Sequence, residues 1–345
     1  MSDPGHASLA VRDDAWEARY HRAAFAVMLL FLVAAPFMIY PQFVMQALCF
    51  ALFASAFNLL IGFGGLLSFG HAMFLGMGAY FCAYLAKSGV RLETLTLFKQ
   101  VIPLGLVLPP LPPALAIVAA VGGTTLLGLL AGLLAIKRQG IYFAMITLAL
   151  AQMVYFFCVQ VPFTGGEDGI QAVPRGTLLG LADLRNNLLL YYVVLAIFIA
   201  GFLFIYRVIH SPFGQVLKAI RENEPRAISL GYRTERYKLG AFVLSAALAG
   251  LAGATKAIVF QNASLTDVQW QMSGEVVLMT LLGGMGTVFG PTVGAFLIIS
   301  MQFYLSDLGG WVIISQGIIF VVCVLAFRRG IMGEVEAWLR GRRKA

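Results

Sequence analysis

FVMQALCFALFASAFNLLIGFGGLLSFGHAMFLGMGAYFCAYLA, residues 43–86, runs for 44 residues without an Asp, Glu, Lys or Arg. A helix rises 1.5 Å per residue, so roughly 20 apolar residues cover the ~30 Å hydrocarbon layer of a bilayer. The run is long enough for two such segments, with a glycine-rich break, GFGGLLSFGH (62–71), between them. Working outward, further apolar stretches fall at 24–40, 114–136, 140–161, 188–207, 238–259, 274–285, 289–306 and 311–328, beside 43–62 and 66–86 in the opening run. The chain of 345 residues is 60% apolar and only 12% charged, where a soluble protein carries about 25%. These features predict an all-α polytopic membrane protein of about nine or ten transmembrane helices with broken or re-entrant Gly-rich segments. The alternating ten-residue segments of an outer-membrane barrel are not seen. Segment 274–285 is too short to cross as a regular helix.

Lys and Arg set the orientation. Arg12, Arg19 and Arg22 precede the first segment, Lys137 and Arg138 separate the fourth from the fifth, and Lys218 to Lys238 form a third cluster. Arg328, Arg329, Arg340, Arg342, Arg343 and Lys344 form the last. All four share one side if 274–285 reaches across, which puts both termini in the cytoplasm by the positive-inside rule. The domains follow: a tail at 1–22, a transmembrane region at 23–330 with a cytoplasmic loop at 208–237, and a basic tail at 331–345. Residues 87–113 and 162–187 then face outward. The polar N-terminus, with Asp13, Asp14 and Glu17, does not read as a cleaved signal peptide. Cys49, Cys82, Cys158 and Cys323 lie in apolar segments without metal-binding spacing and read as buried small hydrophobes. The net charge of +8 is confined to segment ends and is no nucleic-acid signal.

A second glycine-rich break, LLGGMGTVFGPTVGAF (281–296), answers the first. Non-helical backbone at membrane depth survives only where protein or a water-filled cavity covers it. Paired breaks in the two halves of a transporter point to a substrate path. Tight loops with small-residue packing faces are the other reading. Gly64, Gly65, Ser68, Gly70, His71, Gly283, Gly284 and Gly286 are the path candidates.

The cytoplasmic loop HSPFGQVLKAIRENEPRAISLGYRTERY (210–237) is a polar island between apolar segments. Ser211-Pro212 predicts a helix start, with Ser as N-cap and Pro at the first helical position. Val216, Leu217 and Ile220 predict its apolar stripe. Pro225 forces a stop and restart near Asn223-Glu224. A second short helix would run to Leu230 and stop at Gly231, which tolerates the left-handed conformation. Two short helices meeting at an angle make a lever; a membrane-lying amphipathic linker is the plainer alternative.

EPRAISLG (224–231) resembles the EAA-type loop of ABC-transporter permeases, with Pro225 where that loop has Ala. The stretch from Ser211 to Ala254, together with GFGGLLSFGHAMFLGMGAY (62–80), FTGGEDGI (163–170) and VVLMTLLGGMGTVFGPTVGAF (276–296), resembles the LivM-type permeases of branched-chain amino-acid ABC importers, in the same order. The resemblance implies a non-enzymatic inner-membrane subunit that pairs with a homologous second permease. It also implies two cytoplasmic ABC ATPase subunits and an external substrate-binding protein. Arg221, Glu222, Glu224, Ala227 and Gly231 are then the ATPase-coupling candidates, and Glu167 and Asp168 the candidate contact for the binding protein. No GxxxxGK[ST] loop occurs, so ATP belongs to the partners and the chain itself needs no cofactor. Urea or short-amide permeases are the nearest alternative, and a stand-alone channel or secondary carrier a more distant one.

Other polar residues receive structural expectations. His71 is expected to be hydrogen-bonded and structural, with a pathway role as the alternative. Asn58, Ser68 and Thr147 are expected to join helices, Lys256 to snorkel outward, and Glu275 to cap the short segment it opens.

Overall fold

The computed structural model describes the backbone of residues 4–92, 95–97, 100–102, 106–178, 182–306, 309, 311–327 and 329–344. Side chains of residues 4–19, 90–108, 178, 182, 312–313, 324 and 340–344 lie outside the description. Arg12, Arg19, Arg328 and the basic side chains from Arg340 onward are therefore not placed.

The molecule is a helical bundle. Its elements are α1 (Pro4–Met38), α2 (Pro41–Asn58), α3 (Ala72–Lys87), α4 (Pro113–Ala135), α5 (Ile141–Gln160), α6 (Asn187–His210), α7 (Pro212–Glu222), α8 (Glu224–Ser229) and α9 (Thr234–Phe260). They continue with α10 (Trp270–Gly283), α11 (Gly290–Tyr304), α12 (Trp311–Ala326) and α13 (Gly330–Lys344). Short strand pairs join Val90–Leu92 to Leu106–Leu108, Leu95–Leu97 to Gln100–Ile102, Thr177–Leu178 to Ala182–Asp183, and Ile170–Gln171 to Asn262–Ala263. Six described helical segments are long and apolar enough to cross a membrane: 20–38, 41–63, 113–135, 141–160, 187–210 and 234–260.

α2 is apolar on every face and is therefore the central helix, buried almost throughout against α6, α9, α10 and α11. α9 is the second inner helix, and its run of Ala and Gly (residues 246–254) lets α3 and α4 approach to backbone contact. A Cβ at Gly253 would overlap the Leu75 carbonyl, and one at Gly250 the Thr124 side chain. Lipid tails are as apolar as Leu, so close packing of small residues holds such helices together where water is absent. The outer helices turn large apolar side chains outward: Leu30 and Phe37 from α1, Leu134 from α4, Met145 and Met153 from α5, Leu325 from α12. A bilayer solvates that surface.

The two ends of the bundle differ. At one end Arg221 and Arg329 line a shared cavity, Gly65 packs on Arg221, and Gly65 shares another cavity with Gly140, two residues beyond Arg138. Arg22 lies at that end too, beside Phe289 just after the second glycine-rich turn. All four basic clusters thus contribute a described residue or immediate neighbour to this basic end. At the opposite end Lys87 Nζ donates to the Gln171 carbonyl (2.7 Å), and Gln171 pairs with Asn262.

Two segments differ from the sequence expectation. The segment expected as a helix from residue 66 is irregular through residue 71, and α3 begins only at Ala72, whose N–H donates to Ser273 Oγ on α10 (2.9 Å). Ahead of that break, Leu59–Phe63 widens into a π turn. The segment expected at 274–285 starts earlier, at Trp270, and its 14 residues rise about 21 Å. It begins just after the strand at the opposite end and finishes at the basic end, so it traverses the bundle. The C-terminal segment set apart as a tail contains α13, which packs on α10 and α11 where Gly330 meets Gly284.

Candidate functional site

The polar island folds as two short helices. Ser211 Oγ accepts from the Gly214 N–H (3.4 Å), Pro212 opens α7, and Leu217 and Ile220 bury the apolar stripe. At Asn223 the backbone becomes extended, with φ −155° and ψ 93°, and the Asn223 side chain caps α8 by accepting from the Arg226 N–H (3.0 Å). Gly231 has φ +88°, and the Gly231 and Tyr232 N–H groups close the helix on the Ile228 and Ala227 carbonyls. Lys238, in the first turns of α9, donates to Glu224 Oε2 (2.6 Å) and ties α8 to the bundle. Ala227 is buried beneath the lever, whereas Glu222 is exposed. The tip is apolar and uncovered: Ile228 is 55% and Leu230 70% exposed, on the polar end of the molecule.

The elbow of the lever reaches the first break. Arg221 Nη1 donates to the Gly62 carbonyl, and its aliphatic stem packs on Gly65, which has φ +70°. Gly64 faces Leu217 of the same helix. Four residues before Gly62, the Asn58 side chain bonds twice to the backbone of the second break. Its Oδ1 accepts from the Gly286 N–H (2.9 Å), and its Nδ2 donates to the Thr287 carbonyl (2.9 Å). A Cβ at Gly62 would overlap the Asn58 amide oxygen and stand 2.8 Å from Gly286 N, so only glycine admits this junction. Gly286 (φ +81°) and Gly284 (φ +121°) shape the turn, and Thr287 Oγ1 closes it on the Gly284 carbonyl (2.8 Å). Gly283 packs against the backbone of Gly290.

The structure therefore joins two features that the sequence shows only as separate: α7 and both glycine-rich breaks meet at Asn58, Gly62, Arg221, Gly286 and Thr287. Two cavities flank the junction. One, of about 470 Å³, is apolar and lies between Gly65–Phe69 and the first turns of α5. The other, of about 400 Å³, is lined by Arg221, Gly286, Thr287 and Arg329 with the start of α13. Of the eight path candidates, Gly65 and Gly286 line these cavities.

Ser68 and Gly70 are buried, Ser68 accepting from the Gly70 N–H (3.4 Å) and Gly70 packing on the Thr147 backbone. His71 sits at the foot of α3 among the rings of Phe53, Phe57, Phe74 and Phe242. Ser245 Oγ donates to the Ala56 carbonyl and has no second hydrogen, so His71 Nε2 carries the proton and donates to Ser245 (2.9 Å). The imidazole thus links α3, α9 and α2. Glu167 and Asp168 are exposed at the opposite end in a tight turn between left-handed Gly165 and Gly169.

Sequence reading missed the role of Asn58, which joins two breaks rather than two helix faces. The available signal was an amide one helical turn ahead of a glycine-rich break. Two expectations are corrected. Lys256 does not snorkel outward but pairs with buried Asp267. Glu275 does not cap α10, which begins at Trp270; its carboxyl accepts from Gln302 Nε2 (3.1 Å).

The family described as branched-chain amino acid transport system / permease component matches residues 39–327. The chain is 27% identical over 339 residues to the high-affinity branched-chain amino acid transport system permease protein LivM of Salmonella typhimurium, covering 91% of this chain and 75% of that one. It is 28% identical to LivM of Escherichia coli, covering 92% and 76%. A probable LivM of Methanocaldococcus jannaschii is 25% identical over 70% of this chain and 69% of its own. No solved structure matches.

Proposed function

This chain belongs to the family of permease components of branched-chain amino-acid transport systems, and from that premise we propose that it is the membrane-spanning permease subunit of an ATP-driven importer. Its cargo is a branched-chain or related aliphatic amino acid, handed over by an external binding protein. A homologous second permease completes the membrane part, and two cytoplasmic ATPase subunits energise it. The basic end lies in the cytoplasm of a bacterial cell, where the positive-inside rule puts it, and Glu167 and Asp168 are offered to the binding protein at the other end.

The observation that carries this reading is the lever. Its uncovered apolar tip, Ile228 and Leu230, lies at the basic end between Arg226 and Arg233, as a surface made for a protein groove does. Its elbow holds the Gly62 carbonyl through Arg221. A displacement imposed on α8 by an ATPase passes through the Asn223 elbow to Arg221 at the end of α7, hence to the first break, and through Asn58 to the second. A charge-assisted hydrogen bond contributes about 1.5–3 kcal/mol, enough to shift a two-state equilibrium by more than tenfold.

The test is ATP-dependent leucine uptake by the complete transporter in proteoliposomes. Ile228→Asp is expected to weaken retention of the ATPase subunits, and Arg221→Ala to leave them bound while uptake falls at least tenfold. Undiminished uptake by both variants would sink the proposal.

A further inference from the structure

The half of the bundle away from the lever holds a second polar cluster. Lys256, one turn before the end of α9, directs its ammonium to Asp267 Oδ1 and stands 5.5 Å above the centre of the Phe50 ring. Asp267 is 1% exposed, and its second oxygen, Oδ2, has no hydrogen-bond partner. Neither has the buried hydroxyl of Tyr80, one turn along α3 from Gly76, which packs on Val268 next to Asp267. Glu275 stands on α10, which begins three residues after Asp267. Four helices or their flanking turns thus converge on one ion pair. By helical rise it sits about 6 Å below the end of α9 and at the level of a residue about 14 Å along α2, both of them segments apolar and long enough to cross a membrane.

An ion pair in that position is costly. A pair of apolar side chains of similar size often serves stability as well or better, and ionisable groups inside a membrane mark function more often than architecture. The orphaned Oδ2 and hydroxyl add a specific requirement, because buried polar atoms without partners are rare. What they lack is a donor for the carboxylate and a partner for the phenol.

We propose that Lys256 and Asp267 form a binding site for the two charged groups of a free α-amino acid in transit, with the protein's own pair closing the site when it is empty. The ligand carboxylate takes Lys256, and the ligand ammonium takes Asp267 with the Tyr80 hydroxyl beside it. A zwitterion replaces the internal ion pair with two new ones and adds no net charge to the membrane interior. Urea or a simple amide has no charges to offer, so opening the pair for it leaves two buried charges unmatched. The site therefore selects against uncharged solutes. This assignment deepens the importer reading and rests on it.

The experiment uses the assembled permease–ATPase complex. Without the binding protein, 10 mM leucine is expected to raise the melting temperature of the wild-type complex, and 4-methylpentanamide, which keeps the side chain without the charges, is not. With the binding protein restored, the paired substitution Lys256→Gln and Asp267→Asn is expected to lower leucine uptake at least tenfold, and Tyr80→Phe to raise its KM several-fold. Equal stabilisation by leucine and the amide overturns the site. So does wild-type uptake by the paired variant, which makes the ion pair a structural tie. If the wild-type assembly imports no amino acid, the importer reading fails; the melting measurement needs no turnover and still decides the site.

Discussion

Replacing Asn58 by Leu keeps the side-chain volume nearly constant while removing both hydrogen bonds that hold the second glycine-rich turn. The lost contacts are the Gly286 N–H to Oδ1 and the Nδ2 to the Thr287 carbonyl, each 2.9 Å. Asn58 is buried, whereas Gly286 and Thr287 are half-buried, so water re-solvates part of what is exposed. A typical hydrogen bond contributes about 0.5–1.5 kcal/mol net, so losing two costs the closed junction about 1–3 kcal/mol. At 1.4 kcal/mol per factor of ten, the population with the junction open rises about 5- to 140-fold. The assay is ATP hydrolysis and leucine uptake by the reconstituted transporter, with and without binding protein. Hydrolysis without binding protein is expected to increase and the number of leucines imported per ATP to fall. A leucine-to-ATP ratio equal to wild type in Asn58→Leu, in a variant that assembles normally, would refute the idea that this amide ties the breaks together.

Gly231 stands at φ +88° with open space around it. Gly231→Ala is therefore expected to cost only the left-handed backbone penalty of about 1–2 kcal/mol, while Gly231→Pro, which cannot adopt this φ, abolishes stimulation of ATP hydrolysis by the loaded binding protein. Similar hydrolysis by the two variants would count against a defined lever angle. Gly253→Leu drives a side chain into the Leu75 carbonyl between α9 and α3. It is expected to destabilise the bundle by about 1–3 kcal/mol or more, read as a lower melting temperature in detergent, whereas Gly274→Ala, inside α10 with nothing within 4 Å, does not lower it.

Much of this protein was legible in its residues because the rules involved are local or one-dimensional. Charge-free length specified membrane helices, and the spacing of Lys and Arg specified which ends of those helices lie together. Ser211-Pro212, Pro225 and Gly231 specified where the island starts, breaks and stops, since caps and left-handed glycines act over one turn. Only tertiary structure decided what the glycine-rich breaks do. Asn58 and Gly286 are 228 residues apart, and Arg221 and Gly62 are 159 apart. An amide in an apolar helix carries no mark that says whether its partner is a neighbouring helix or a distant turn. The same holds for Lys256: its place near a helix end suggests that it reaches for water, and only the folded loop brings Asp267 inward to meet it. Periodicity and composition record what each segment needs, water or lipid or a turn. Which segments satisfy one another's buried polar atoms is settled in three dimensions, when the bundle closes and each such atom must find its partner inside it.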